Sequence, residues 1–233
     1  MNIFYITGSS SGIGEAIAQI LLEDTNNLVI GIARSQTIQH DRYQHFFIDL
    51  SQEWSETIFK KPHYHTERVV LINNAGSIGP IKPLSQHTEQ EIIQNYYINL
   101  IAPAILTKQF MNIFGNSTTK GIVLNISSGA GKHPIPSWST YCSSKSGLDM
   151  LSKTVDLECS NIKIYAVAPG IVDTAMQDTI READKNDFPD VDRFIAYKTD
   201  GDLSTSEEVA QKFVQFLMNN IKYQDVLYSI KDF

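Results

Sequence analysis

The sequence predicts an α/β fold, a doubly wound parallel sheet, on three observations. Short β-branched runs alternate with helical apolar patterns along the chain. Several of those runs are apolar at consecutive positions, as strands covered on both faces are. A glycine-rich turn, Thr7–Gly14, separates the first run from the first helical pattern. In such sheets that turn lets the main chain approach an anionic ligand.

The predicted strands are Ile3–Thr7, Leu28–Ile32, Phe46–Ile48, Val69–Ile72, Ile122–Ile126, Ile162–Ala168 and Val226–Ile230. The first predicted helix, Gly14–Glu23, repeats apolar residues at Ile17, Ile20 and Leu21, and Ile101–Phe114 and Lys145–Leu157 are also periodic. Ser206–Met218 is another, with Glu207 and Glu208 early, where acidic side chains suit the helix dipole. Only ten residues, Ser35–Gln44, join the second and third strands, so a trimmed crossover helix is expected there. Thr174–Leu203 is polar, contains Phe188-Pro189 and Asp200-Gly201, and reads as a partly helical excursion over the C-terminal edge of the sheet. No linker, repeat or charge block divides residues 1–233, so a single domain is expected.

Composition narrows the function. Hydrophobic residues make up 42% of the chain, which excludes a disordered scaffold. Nineteen basic against 26 acidic residues leave a net charge of −7, which disfavours a nucleic-acid partner. No window holds the roughly 20 apolar residues of a membrane span. Met1–Thr7 lacks a charged segment of the signal-peptide kind, and a cytoplasmic protein is expected. Cys142 and Cys159 are too few for a disulfide framework or a zinc site. His63-Tyr64-His65 and the other four histidines show no metal-ligand spacing; they are assigned to the surface, and no metal is expected. Asn116-Ser117-Thr118 and Asn125-Ile126-Ser127 fit the glycosylation pattern, but the second lies on a predicted buried strand.

The turn after the first strand places Ser10, Ser11 and Ile13 among Gly8, Gly12 and Gly14. Its glycines permit a tight turn, and the helix N-terminus behind them offers unpaired N–H groups to a pyrophosphate. A glycine-rich turn without a ligand is the alternative. The residue about 20 positions past the last glycine selects the cofactor: an acid there accepts from the 2′-hydroxyl of NAD. Here it is Arg34, whose guanidinium suits a 2′-phosphate, so NADP is expected. An ordinary solvated arginine is the other reading. Arg34 also weighs against an adenosylmethionine methyltransferase, a similar layout that typically carries an acid at that position.

Tyr141 and Lys145 are four apart and share one helix face. A phenol is a poor acid–base group until a neighbouring cation favours its phenolate, and Lys145 supplies that cation. The same ammonium can hold the ribose hydroxyls of a nicotinamide cofactor. Ser128, at the end of the fifth strand, can donate to a carbonyl oxygen that gains charge. Each feature alone has a bland counterpart: Tyr-x3-Lys occurs on many helix faces, and a Ser-Ser pair often belongs to a turn.

Taken in order, Thr7–Gly14, Asp49-Leu50, Asn73-Asn74-Ala75-Gly76, Asn99, Ser127-Ser128, Tyr141-x3-Lys145 and Pro169-Gly170-x3-Thr174 resemble the classical short-chain dehydrogenase/reductase family over the full chain, with a Rossmann-type fold. Ser128 matches the family's catalytic serine because it lies thirteen residues before the tyrosine. The resemblance implies a tetrad: Asn99 positioning a water, Ser128 on the carbonyl, Tyr141 as proton donor, and Lys145 lowering its pKa. It also implies that Asp49 and Leu50 contact adenine and that Asn74, Ala75 and Gly76 line the cofactor cleft. Pro169, Gly170, Val172 and Thr174 would approach the nicotinamide, with Thr174 reaching its carboxamide. Family members pair through the helices represented here by Ile101–Phe114 and the one beginning at Tyr141, so a homodimer or homotetramer is expected.

Within the family, Ser128–Lys132, Ala168–Gln177 and Asp192–Ile195 resemble the sepiapterin reductases and the benzil reductases that form (S)-benzoin. These branches reduce carbonyls with NADPH. Sepiapterin reductases grip the pterin with an acid in the last strand; Tyr228 or a neighbour stands there here, which favours a dicarbonyl or aromatic ketone. The substrate would lie between Ala130–Trp138 and Thr174–Lys198, against Ser128, Tyr141, Trp138 and Met176. Phe188, Phe194 and Tyr197 either join that lining or anchor the excursion to the sheet. Two competing readings exist. A non-catalytic NADPH sensor has no need of Tyr141 and Lys145. A sugar-nucleotide epimerase of the extended branch needs a larger C-terminal domain than the roughly 60 residues after Gly170.

Overall fold

A computed structural model describes residues 1–55, 58–61, 65–219 and 222–233. Its centre is a seven-stranded parallel sheet in the order β3-β2-β1-β4-β5-β6-β7. The strands are β1 (Asn2–Thr7), β2 (Asn27–Ala33), β3 (Tyr43–Phe47), β4 (Arg68–Asn73), β5 (Lys120–Ile126), β6 (Ile162–Ala168) and β7 (Leu227–Ser229). Strand order reverses between β1 and β4, and the crevice at that reversal is where ligands of such sheets bind. The helices are α1 (Gly12–Glu23), α2 (Glu89–Tyr96), α3 (Ala102–Phe114), α4 (Ser139–Glu158), α5 (Ala175–Arg181), α6 (Val191–Thr199) and α7 (Ser206–Met218).

Continuous apolar runs in β1 and β4 feed two cores, one on each face. On one side Phe4, Ile6, Val70 and Ile72 meet Ile17 and Leu21 of α1 and Phe213 and Phe216 of α7. On the other, Tyr5, Val69 and Leu71 meet Leu106, Phe110 and Phe114 of α3 and Val155 of α4. Thr88–Glu91 and Thr205–Glu208 each form a reciprocal capping box that starts α2 and α7.

Several expected boundaries move. The helix expected at Ile101 is preceded by α2 and a π-helical turn, Tyr97–Ile101, so the chain arrives already coiled. Apolar periodicity gave no sign of α2, whose residues are mostly polar. The third strand begins at Tyr43, not Phe46, because Val29–Ala33 pair with Tyr43–Phe47 as a mixed-polarity edge strand. No helix forms in 35–42. Ile38 and Tyr43 instead fold onto the core beside α1, filling the space a crossover helix would cover. The excursion does carry helices, α5 and α6, and a bridge between Val172 and Ser204 closes it.

The shortened crossover buries a polar chain. Tyr43 Oη lies 3.0 Å from Ser9 Oγ and 3.0 Å from His45 Nδ1, and His45 Nε2 lies 3.2 Å from the Ala33 carbonyl. A carbonyl only accepts, so Nε2 donates; a neutral His45 then accepts from Tyr43, which accepts from Ser9. Gly31 makes room, since a Cβ there would stand 1.9 Å from Tyr43 Oη. His45 and His87 are therefore half-buried and bonded to main-chain carbonyls, which corrects their assignment to the surface. His63 lies outside the described residues.

Tyr43→Phe strips both neighbours of a partner and should lower unfolding free energy by about 1–3 kcal/mol in urea titration; an unchanged midpoint would contradict the chain. Burial also lowers the His45 pKa from its ordinary 6.5. The unfolded chain then binds that proton more readily, so this contribution to stability is lost as pH falls below 6.5 towards the lower folded value.

Candidate active site

At the sheet reversal the ends of β1 and β4 are tied together. Thr7 Oγ1 accepts from the main-chain N–H groups of Asn74 and Ala75, both at 2.9 Å, and Asn74 Nδ2 donates to the Thr7 carbonyl at 2.9 Å. The Asn74 amide occupies the space in which Gly8 and Gly14 would carry side chains. A Cβ on Gly14 would stand 2.3 Å from Asn74 Nδ2 and 2.4 Å from the Gly8 oxygen. Gly8 and Gly12 take φ of +67° and +55°, the left-handed region that favours glycine. Ser11 caps α1 in extended conformation without a side-chain bond, which leaves first-turn N–H groups for an anion.

A cleft of about 360 Å³ opens beside this turn, lined by Gly8, Ser10, Ser11, Arg34, Asp49, Leu50, Ala75 and Gly76 among others. That volume falls in the range of small-molecule and cofactor sites. The exposed Arg34 joins Asp49 on one wall. Hydrogen bonds from Ser51 N–H and Oγ hold the Asp49 carboxyl below its usual range, with the Arg34 charge adding to the effect. The side chains of Ile13 and Val172 instead pack into the core beside α1 and α7. Glycines at close approach and open helix N–H groups fit the pyrophosphate of a dinucleotide, and Arg34 adds a cation to the lining of the same cleft.

Helix α4 carries Tyr141 and Lys145 to the ends of β5 and β6, and both are buried. Lys145 Nζ donates to the Ile126 carbonyl at 2.8 Å and lies 5.8 Å from the centre of the Tyr141 ring. Desolvation brings the Lys145 pKa down to about 8, opposed by Asp149 one turn on. Burial raises the Tyr141 phenol above its ordinary value, and a hydrogen bond with Ser128 pulls it back. The expected lowering by Lys145 is not the leading effect in this arrangement, because enclosure of the phenol outweighs its neighbours. Ser128 Oγ also accepts from Ala130 N–H at 3.2 Å, at the start of the short 3-10 turn Gly129–Gly131.

Asn99 sits in the π-helical turn and is fully enclosed. Its Oδ1 accepts from Ser77 N–H at 3.1 Å, and its Nδ2 donates to the Ser77 and Asn95 carbonyls at 2.8 and 3.0 Å. A Cβ on Gly76 would stand 3.0 Å from Asn99 Oδ1 and 3.7 Å from Lys145 Nζ. Gly76 is thus where the glycine-lined cleft reaches Asn99 and Lys145.

Trp138 is buried, with its ring 5.6 Å from Phe188 and 5.3 Å from Phe194 and edge-on to Tyr141 at 5.9 Å. Phe188 and Phe194 are enclosed in the same cluster, with Met176 and Tyr197 packed against it, so these aromatics anchor α5 and α6 over the site. Thr174 Cγ2 covers Gly12. Pro169 and Gly170 carry β6 past that point, Gly170 at φ +79°. Residues missed in the sequence are Asn95, which holds Asn99, and Asp149, visible only as an acid four positions after Lys145.

Residues 2–185 match the family model of the short chain dehydrogenase. A benzil reductase ((S)-benzoin forming) of Bacillus cereus is 40% identical over 229 residues, spanning 91% of this chain and 92% of that protein. A sepiapterin reductase of Meriones unguiculatus is 32% identical over 158 residues, 66% of this chain and 60% of its own length. A solved short-chain dehydrogenase/reductase from Saccharomyces cerevisiae matches with a TM-score of 0.84 at 25% identity, covering 99% of this chain and 96% of that one. Family and branch agree with the resemblance read from the motifs. Gly14→Ala drives a methyl into main chain and should cost about 3 kcal/mol, the upper end of overpacking; an unmoved melting temperature would contradict the close approach.

Proposed function

The chain belongs to the short-chain dehydrogenase family, and on that footing we propose that it is an NADPH-dependent carbonyl reductase acting on a ketone or diketone, benzil-like or with a pterin side-chain carbonyl. The observation that carries this reading is the meeting of Ser128, Tyr141 and Lys145 at the strand ends beside the glycine-lined cleft. When bound, NADPH supplies hydride to the carbonyl carbon. Ser128 donates a hydrogen bond to the carbonyl oxygen as it gains charge. Tyr141 delivers the proton to that oxygen. The Lys145 ammonium opposes the charge left on the phenolate, and Lys145 with Asn99 returns the proton. A phenol is protonated at neutral pH, the state a proton donor requires, and burial raises the Tyr141 pKa further above its ordinary value.

Arg34 at the cleft wall supports NADPH over NADH, since a guanidinium complements the 2′-phosphate. Tyr228 packs against Tyr165 and Phe216, and its hydroxyl accepts from Asp225 N–H at 2.8 Å. It offers no acid for a pterin, which supports the dicarbonyl or aromatic ketone. Exposed Ile93 and Ile101 near α2 and α3, with Met150 and Leu157 on α4, support a second copy of the chain against these helices, as a homodimer or homotetramer in the cytoplasm.

Tyr141→Phe should lower kcat by roughly 10²- to 10⁴-fold while the protein still binds NADPH; near-wild-type turnover would remove Tyr141 as proton donor. Arg34→Ala should weaken NADPH binding by roughly 10- to 100-fold and leave NADH nearly unchanged. Equal effects on the two cofactors would sink the 2′-phosphate assignment.

A further inference from the structure

A second buried titratable side chain lies one turn beyond Lys145. Asp149 is largely enclosed, and its Oδ1 accepts from Ser127 Oγ at 2.5 Å. Ser127 is adjacent to Ser128, and Lys145 Nζ is bonded to the carbonyl of Ile126, the residue before Ser127. The lysine and the carboxylate therefore grip neighbouring positions at the end of β5. Burial raises the Asp149 pKa, and the Ser127 hydrogen bond and the charges of Lys132, Lys145 and Lys153 work against that rise. A carboxylate held by Ser127 one helical turn from Lys145 is placed to act on the lysine through space.

We propose that Asp149 is a positioning residue, a fixed buried anion that keeps Lys145 charged beside Tyr141, with Ser127 holding the carboxylate in place. The proposal rests on the carbonyl-reductase reading for its catalytic meaning, but the charge on Lys145 is a property of the chain alone. Burial works against an ammonium, and the Asp149 field opposes that loss. Without the anion, Lys145 would be neutral over more of the working pH range and Tyr141 would lose its cationic neighbour at lower pH.

The test follows Lys145 directly in ligand-free protein labelled with ¹³C at the lysine ε-carbon, its signal assigned by Lys145→Arg. Wild type should titrate near pH 8. Asp149→Asn keeps an acceptor for Ser127 but removes the charge; the midpoint should fall by roughly one unit, and Asp149→Glu should restore most of it. Should Asp149→Asn not fold, Ser127→Ala frees the carboxylate and should shift the midpoint in the same direction by less. An unchanged midpoint in Asp149→Asn, or in Ser127→Ala where that variant stands in, overturns the proposal. In turnover, the alkaline limb of the Asp149→Asn kcat profile should move down with the titration. A wild type that turns over no carbonyl would instead overturn the reductase reading and leave the titration result standing.

Discussion

The organisation of this protein's reactive end follows from one unfavourable act, the burial of a lysine ammonium. Only 4% of Lys145 is exposed, and withdrawing such a charge from water costs several kcal/mol unless fixed dipoles and charges replace the solvent. Here the replacements are the Ile126 carbonyl, the Asp149 carboxylate and the face of the Tyr141 ring. Each can serve only if α4 docks against the end of β5 in one register. A buried polar seam sets that register: Asn73 Nδ2 donates to Asn125 Oδ1 and Asn125 Nδ2 to Ser152 Oγ, both at 2.8 Å. The placement of Lys145 and strand–helix packing thus depend on the same contacts.

The phosphate end is fixed independently. Thr7 and Asn74 lock the strands at the reversal of sheet order, and the Asn74 amide permits only glycine at the two nearest turn positions. The two ends meet at Gly76, where a Cβ would press on Asn99 Oδ1 at 3.0 Å and lie in ordinary contact with Lys145 Nζ at 3.7 Å. The aromatic cluster of Trp138, Phe188 and Phe194 then holds the excursion in place above the junction.

Much of this was legible in the residues. Consecutive apolar positions marked the buried strands, and the glycine spacing marked the turn, because both patterns record close packing. The Tyr141–Lys145 spacing could be read because a helix face has a fixed period. What escaped reading was set by long-range contact. Helix α2 is polar and begins at a capping box, so apolar periodicity could not reveal it. The Ser9–Tyr43–His45 chain joins the turn after β1 to β3, two segments far apart in sequence, so no local pattern announced it. Trp138 read as a candidate for the substrate lining; its enclosure by Phe188 and Phe194 depended on how the excursion folds back.

Whether the buried Tyr141–Lys145 pair serves carbonyl reduction with NADPH is decided by following cofactor absorbance with the purified chain and benzil. NADPH should be oxidised in dependence on benzil, with benzoin as product and much weaker oxidation of NADH. Tight NADPH binding with no oxidation across benzil, sepiapterin and simple diketones would contradict it and point to a protein that senses the cofactor without turning it over.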